Sequence, residues 1–375
     1  MLSMQDAVHN ILARLALLEV LACRSVCRLF RDVISSFPFL SSLPPLRLLA
    51  LRQPRAATDP YPCLHAFDPS LQRWLRIPLS LPFPSSSPVT ASPSLLYLWV
   101  DAVASLSDAK NHLKYLAVCN PLTGSYRLLP PLGSAWSRHG TVLAGSDGDV
   151  LVVTDLAALS YAPGPYRWLK FPLNLPSKPR SPILMAGAVF VLCDVGWRSD
   201  WKLFSCNVRD LGGASGWTAL ERLEWGGVFD ILKRPRLLAG AGGSRLLMIG
   251  GLRSSFAMDA LCSTVLILRL DLLTMEWDEA GRMPMEMYRC FGGGISGPVA
   301  GAADATVGSN NKVKVFGGGG NVWFSGKRIR GKLAMWEEDA GKNDGGLWSW
   351  VGGISGCDEG MYRGFMFDAG FTAAP

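Results

Sequence analysis

The sequence has few charged residues and very few histidines. Charged residues make up 18% of the 375 positions, and the four histidines stand at 9, 65, 112 and 139. None of these histidines has a cysteine or carboxylate at metal-ligand spacing, and neither a C-x-x-C pair nor a G-x-S-x-G phrase occurs. We therefore expect no metal, no cofactor and no serine-hydrolase site.

Long apolar runs are also missing. The longest uncharged apolar stretch, Ile183 to Cys193, is shorter than the roughly 20 residues that a membrane helix needs, and we interpret it as one buried strand. Arg14, Glu19 and Arg24 interrupt the apolar runs near the N-terminus. The nine cysteines are irregularly spaced, as is typical of reduced thiols. We expect a soluble protein of the cytoplasm, the nucleus or both, with no membrane partner.

Glycine, proline and tryptophan are plentiful, with 40, 25 and 13 copies. Hydrophobic residues make up 49%, which is enough for a sizeable core. This composition favours a mainly β protein with many tight turns. The net charge of +7 favours an acidic partner surface but is too small for a nucleic-acid-binding protein.

The N-terminal 40 residues follow a different pattern. Between residues 4 and 40, apolar side chains recur at steps of three and four, and neither glycine nor proline occurs before Pro38. This periodicity predicts two or three short amphipathic helices. Such a short segment cannot bury its apolar stripe alone, so the helices need a partner surface.

Three phrases in this segment, Ile11–Leu15, Leu17–Leu21 and Arg24–Arg31, together resemble the F-box. The resemblance implies docking to a Skp-type adaptor and, through it, to a cullin. By position, the residues implied in the adaptor contact are Leu12, Leu15, Leu18, Leu21, Val26, Cys27 and Phe30. Two features differ from the family pattern: the opening Leu-Pro-[Asp/Glu] phrase is absent, and Ala16 replaces a proline between the first two helices. Without that proline, the two helices could continue as one.

A second pattern recurs after residue 60. A strand ends in Asp or Asn, a turn follows, and an aromatic residue opens the next strand. The aromatic residues are Trp74, Tyr126, Trp168, Trp217, Trp277 and Trp350. A period near 50 residues predicts four strands per repeat and six blades, which is the pattern of a kelch-type β-propeller. Glycine runs at Gly250–Gly251 and Gly317–Gly319 are expected to follow strands and to let the chain bend.

The predicted domains are therefore an F-box-like helical segment at residues 1–42, a linker at 43–60 and a kelch-type β-propeller at 61–375. The whole pattern resembles plant-type F-box/kelch proteins. That resemblance implies a non-catalytic substrate-recognition subunit of an SCF (Skp–cullin–F-box) ubiquitin ligase, with a target protein held by the propeller. One alternative is a propeller interaction module that no longer engages the adaptor. Another is a propeller enzyme of the galactose-oxidase kind, which the scarcity of histidine argues against.

Three further segments are interpreted as loops. The Pro- and Ser-rich run from Leu79 to Ser94 is expected to connect strands of the first blade. The G-x-G-x-x-G phrase at Gly292–Gly297 is followed by Pro298, which excludes the helix that a dinucleotide site requires. Four cations at Lys327, Arg328, Arg330 and Lys332 are expected to form a solvated loop.

Overall fold

The structure is a computed structural model. It describes residues 4–15, 17–52, 63–79, 81–83, 86–101, 114–145, 148–196, 200–213, 216–253, 262–292, 313–338, 346–354 and 361–375. The chain forms two compact units. The first comprises Met1–Ala50, Asp59–Pro131 and Phe367–Pro375, and the second comprises Leu51–Thr58 and Leu132–Met366. No helix in the described ranges is long and apolar enough to cross a membrane.

Helices are concentrated at the N-terminus, as the periodicity predicts. The described α-helices are α1 (Met4–Leu12), α2 (Leu17–Cys23), α3 (Arg28–Ser35), α4 (Phe37–Ser42), α5 (Ser134–His139) and α6 (Met285–Cys290). Short 3₁₀ turns are found at Val208–Asp210, Leu223–Trp225 and Ala241–Gly243. The first four helices come before every strand, which confirms a short helical segment at the start of the chain.

Strands make up most of the remaining described residues. The first eight strands are β1 (Leu46–Arg52), β2 (Cys63–Asp68), β3 (Arg73–Pro78), β4 (Ser86–Ser92), β5 (Leu95–Asp101), β6 (Lys114–Cys119), β7 (Tyr126–Leu128) and β8 (Thr141–Ala144). The next eight are β9 (Val150–Val153), β10 (Ala157–Ala162), β11 (Arg167–Pro172), β12 (Arg180–Met185), β13 (Ala188–Asp194), β14 (Trp201–Asn207), β15 (Thr218–Leu220) and β16 (Leu232–Ala239). The last eight are β17 (Arg245–Arg253), β18 (Cys262–Asp271), β19 (Glu276–Arg282), β20 (Val313–Gly318), β21 (Asn321–Gly326), β22 (Leu333–Glu337), β23 (Leu347–Val351) and β24 (Arg363–Ala369).

These strands form six sheets of four strands each. In chain order the sheets are β24-β1-β2-β3, β4-β5-β6-β7, β8-β9-β10-β11, β12-β13-β14-β15, β16-β17-β18-β19 and β20-β21-β22-β23. We number them one to six in that order and call them blades. The fold class is mainly β, a six-bladed β-propeller preceded by short helices, as the repeat period predicts. The first blade combines the last strand of the chain with three early ones.

The recurring sequence phrase is the hairpin between the third and fourth strands of each blade. Asp68 closes β2, and its Oδ1 accepts hydrogen bonds from the Ser70 and Leu71 N–H groups at 2.9 and 3.1 Å. The Asp271 Oδ1 accepts in the same way from Leu273 and Thr274 at 2.8 and 3.4 Å. These bonds confirm the predicted turn chemistry, in which the side chain replaces a backbone acceptor.

The aromatic residue that follows the turn lies at the start of the fourth strand. Trp74 pairs with Phe67 across the hairpin, with ring centroids 5.1 Å apart. Trp168 pairs with Tyr161 at 5.5 Å in the third blade. These cross-strand aromatic contacts stabilise the outer hairpins of the first and third blades. The sequence pattern therefore predicted the turn and the aromatic position in these two blades. In the sixth blade Trp348 occupies this position opposite Trp336, whereas the predicted Trp350 lies near the end of β23.

The apolar run from Ile183 to Cys193 was interpreted as one strand, and that interpretation was wrong. The run contains the end of β12, a turn and most of β13. Ala186 and Gly187 both have positive φ, 50° and 72°, as a two-residue type I′ hairpin requires. Because both strands of this hairpin are apolar, no polar residue marks the turn in the sequence.

The Pro- and Ser-rich run from Leu79 to Ser94 is not all loop either. Residues 86–92 form β4, which is the first strand of the second blade. A bulge between Pro88 and Thr90 interrupts its pairing with β5. Proline is compatible with this position because β4 is an edge strand.

Two further segments differ in detail from expectation. Residues 46–52, inside the range predicted as a linker, form β1, whose apolar residues Leu48 and Leu49 are fully buried. The glycines at 250 and 251 lie inside β17 rather than after it. A side chain at Gly251 would come within 2.5 Å of the Cys262 sulfur, so close packing between strands explains that glycine.

Apolar clusters among the described residues join neighbouring blades of the second unit. The largest lies between the fifth and sixth blades and contains Ile249, Phe324 and Trp336, among others. A second cluster joins residues of the fourth and fifth blades, and a third joins the third and fourth. Neighbouring blades of this unit are therefore held together by shared apolar cores.

Candidate functional site

The four N-terminal helices have a small core of their own. Its fully enclosed members are Leu12, Val20, Val33, Ile34 and Phe39. Half-buried residues pack around them, namely Val8, Leu15, Cys23, Leu29, Phe30 and Leu43. All of these residues lie between positions 8 and 43. Part of the apolar stripe that the sequence places on these helices is thus buried within the segment.

Local hydrogen bonds set the ends of α3. The Cys27 sulfur accepts from the Phe30 N–H at 3.4 Å and so caps the N-terminus of this helix. At the other end the Ser36 hydroxyl donates to the Val33 carbonyl at 2.7 Å. Pro38 lies in the first turn of α4, where a missing N–H costs no helical hydrogen bond. The phrase Arg24–Arg31 therefore contains the turn and the start of the third helix.

The first two helices remain separate although no proline divides them. Helix α1 ends at Leu12, and the Arg14 and Leu15 N–H groups bond the Ile11 and Leu12 carbonyls at 3.2 and 3.1 Å. These tight turns end the helix before α2 begins at Leu17. The continuous helix that the missing proline allowed is not formed. Ala16 itself lies outside the described residues.

The predicted adaptor-contact residues occupy different environments. Leu12 is fully buried in the helical core, and Leu15 and Phe30 are half-buried against it. Val26 is 65% exposed and Cys27 is also exposed. The side chains of Leu18 and Leu21 lie outside the described part of the structure. Val26 and Cys27 are therefore the members of the set that the structure places at the surface.

Sequence reasoning missed three exposed apolar residues in the same segment. Met4, Ile11 and Phe37 are 75%, 61% and 70% exposed. Ile11 is part of the first F-box-like phrase, and Phe37 stands beside Pro38 near the end of the helical segment. Large apolar side chains at the surface of a soluble domain are typical of a binding surface when they cluster in one small module. The pattern of helical spacing alone cannot tell which apolar residues face inward.

Comparison with known proteins shows to which family this chain belongs. Residues 5–51 match the model of the F-box domain. The chain is also 48% identical over 390 residues to the protein named SKP1-interacting partner 15 of Arabidopsis thaliana, covering 99% of this chain and 97% of that protein. The chain belongs to the F-box protein family. The resemblance seen in the N-terminal phrases is thereby confirmed, including its place at the start of the sequence.

Among solved structures, a chain from the crystal structure of a nidogen/laminin complex has a similar backbone. The TM-score is 0.48 and the identity is 9%, with coverage of 86% of this F-box protein and 97% of that chain. At this level of similarity nothing follows about function. Within the described residues, no group of three or more His, Cys, Asp or Glu side chains is arranged to hold a metal ion.

Proposed function

We propose that this F-box protein is the substrate-recognition subunit of an SCF ubiquitin ligase. The observation that carries the proposal is the match of residues 5–51 to the F-box domain, in a chain whose relative is named for its interaction with SKP1. The helices bind a Skp-type adaptor, the adaptor binds a cullin, and the propeller holds a target protein. Ubiquitin transfer becomes faster because the target is kept at high effective concentration near the transferring enzyme.

The surface of the helical segment supports adaptor binding. Val26 and Cys27 lie at the turn between α2 and α3, where both are exposed. Burial of apolar side chains drives most protein association, so these two residues and the exposed Ile11 supply a suitable surface. We infer that Leu12 contributes differently, through the core that holds the helices in place.

The test is co-elution of the full chain with a co-expressed Skp-type adaptor in size-exclusion chromatography, followed by calorimetric titration. We expect the wild-type chain to co-elute. The variant Val26→Asp should keep its fold, because the side chain is 65% exposed, and should bind at least ~10-fold more weakly, because a carboxylate would be buried without a partner.

A matched control is Leu273→Asp, which makes the same kind of change at an 81% exposed position in the second unit. This variant should bind the adaptor as the wild type does. The double variant Leu15→Asp with Phe30→Asp is less informative, because both residues pack against the helical core and the helices would unfold as well. The proposal fails if the wild-type chain does not co-elute or if Val26→Asp binds with unchanged affinity. Failure would favour the alternative of a propeller module without an adaptor.

The chain acts as a non-catalytic receptor, with chemistry supplied by the other ligase subunits. It works in the cytoplasm, the nucleus or both, where such ligases meet their targets. Its blades are of kelch type; the glycine pair inside β17, which allows close contact with Cys262, supports this assignment for the fifth blade.

A further inference from the structure

The first strands of the fourth and fifth blades, β12 and β16, are joined by a side-chain hydrogen-bond pair. The Ser181 hydroxyl donates to the Leu237 carbonyl at 3.2 Å and accepts from the Leu237 N–H at 3.0 Å. Both residues belong to the second unit. Arg180 and Arg236 immediately precede Ser181 and Leu237. Two arginines that are 56 residues apart in sequence are thus brought to the same place.

Both strands are distorted beside these arginines. The register of β12 shifts between Arg180 and Ile183, and Ser181 has a φ of 53°. The register of β16 shifts between Lys233 and Arg236, and Arg234 has a φ of 54°. Non-glycine residues adopt this left-handed conformation only where the surrounding structure holds them in it. Bulges re-aim side chains and are common next to binding sites.

Arg180 and Arg236 line a cavity of about 440 Å³. The Arg180 guanidinium lies 4.9 Å from the centre of the Trp201 ring, which is buried and forms part of the same wall. This cation–π contact holds the guanidinium against the wall of the cavity. A cavity of this size holds a small molecule or a few side chains of a peptide.

Positive charge at this place is not balanced by nearby carboxylates. In the described ranges, Arg180, Arg234, Arg236 and Arg363 form no ion pair. Burial, followed by the charges of Arg180, Arg363 and Arg234, lowers the pKa of Arg236 from its usual value. The other three arginines thus repel the charge of Arg236. A bound anion would relieve their mutual repulsion.

The cationic residues of the cavity wall, Lys178, Arg180 and Arg236, outnumber its two carboxylates. Asp155 is already paired with Lys178. Asp194 is the other carboxylate of the wall, and its Oδ1 is buried with no hydrogen-bond partner in the part of the chain that the structure describes. Arg180 and Arg236 therefore remain the groups available to an incoming anion.

We propose that this cavity binds an anionic side chain of the target protein, a phosphorylated serine or threonine or a cluster of Asp and Glu. The proposal rests on the proposed function in taking the ligand to be part of a target protein. Guanidinium groups bind carboxylates and phosphates through paired hydrogen bonds. The buried Trp201, Pro179 and Pro182 of the wall suit the apolar part of a peptide better than a nucleic-acid backbone.

The experiment measures fluorescence polarisation of the full chain with labelled nine-residue peptide pools. The pools differ only in the central residue, which is phosphoserine, glutamate or alanine. We expect binding of the phosphoserine pool, the glutamate pool or both, weakening as salt is raised, and at least ~10-fold weaker binding of the alanine pool. The better of the two anionic pools identifies the source of the charge.

The deciding variant is Arg236→Gln, because Arg236 lines the cavity and forms no ion pair in the described ranges. It should weaken binding of the anionic pools by about 10-fold or more with no change in thermal midpoint. Arg167→Gln is the matched control, an exposed arginine on β11 outside the cavity, and should bind as the wild type does.

Three results would overturn the proposal: equal binding of all pools, no loss in Arg236→Gln, or tighter binding of a single-stranded DNA oligonucleotide that Arg236→Gln abolishes. Adaptor co-elution of Arg236→Gln is measured in parallel. If the adaptor fails to bind while the peptides bind, the ligase assignment fails and the anion site stands. If the adaptor binds while the peptides do not, the anion site fails and the ligase assignment stands.

Discussion

Glu338 accepts a hydrogen bond from Arg269 at 3.1 Å although the two residues belong to neighbouring blades. The Glu338 side chain is only 1% exposed. Its carboxylate also accepts from Arg245 at 3.1 Å and from the Ala241 N–H at 2.8 Å. One buried carboxylate therefore joins the fifth and sixth blades of the second unit through three donors.

We predict that Glu338→Gln lowers the free energy of unfolding by about 2–3 kcal/mol, because it leaves Arg269 and Arg245 without their shared anion. This loss is smaller than the roughly 3–5 kcal/mol expected for breaking a buried pair, because Arg269 keeps a second partner in Asp278. Urea denaturation measures the change. The control is Glu279→Gln, whose pair with Arg282 is about half exposed and should contribute less than about 1 kcal/mol. Equal shifts for the two variants would contradict the prediction.

Asn120 offers a test of the hairpin chemistry. Its Oδ1 accepts from the Leu122 and Thr123 N–H groups, and its Nδ2 donates to the Gly370 and Ala373 carbonyls at 2.9 and 3.0 Å. The residue is fully buried. Asn120→Asp would place a carboxylate against two carbonyl oxygens, and we expect it to destabilise the protein by about 3 kcal/mol at pH 7.

The destabilisation of Asn120→Asp should depend on pH. Burial against carbonyl oxygens raises the pKa of the introduced carboxyl above its unfolded value of about 3.9. The variant therefore binds more protons when folded, so it loses stability as pH rises from about 4 through the raised pKa. Thermal unfolding of variant and wild type between pH 4 and 8 measures this difference. The control is Asp68→Asn, the reverse change in the first blade, which should lower the free energy of unfolding by less than about 1 kcal/mol. If the stability difference between Asn120→Asp and the wild type does not change with pH, the account is wrong.

The hairpin at Ala186 and Gly187 gives the third prediction in this group. Ala186 has a φ of 50°, a conformation that asparagine adopts more readily than alanine. Ala186→Asn should therefore raise stability by about 0.5 kcal/mol and the melting temperature by about 1–2 °C. Gly187→Ala should lower stability by about 1 kcal/mol through the backbone alone, because a side chain there would meet no atom within 4 Å. Scanning calorimetry measures the melting temperatures of both variants. The account fails if the two melting temperatures shift in the same direction.

Much of the fold could be predicted because its information is local. The turn after Asp68 and the position of Trp74 follow from a side chain that bonds its own backbone and from an aromatic residue opposite its partner. The first, second and fifth blades share this side-chain bond through Asp68, Asn120 and Asp271, and the regular spacing of the aromatic residues indicated the number of blades. The turn at Ala186–Gly187 escaped notice because its flanking strands are apolar on both sides, and alternation disappears in such strands.

The candidate sites were harder to predict because they depend on contacts between distant residues. The spacing of Leu12 and Val26 marks both as apolar positions on helices, yet one is enclosed and the other is exposed. Arg180 and Arg236 meet only because β12 and β16 are neighbours and both are bulged. No periodic pattern in the sequence encodes that neighbourhood, and Glu338 joins Arg269 for the same kind of reason.

The position of β24 in the first blade has a consequence for synthesis of the protein. Its partner β1 ends at residue 52, and β24 begins at residue 363, roughly 310 residues later. At about 5–20 residues per second, a ribosome needs roughly 15–60 s to cover that distance. During this time the β1 edge has no native partner and can pair with other chains. Until β24 has been synthesised, the unpaired edge of β1 is therefore a site where a nascent molecule can associate with another chain.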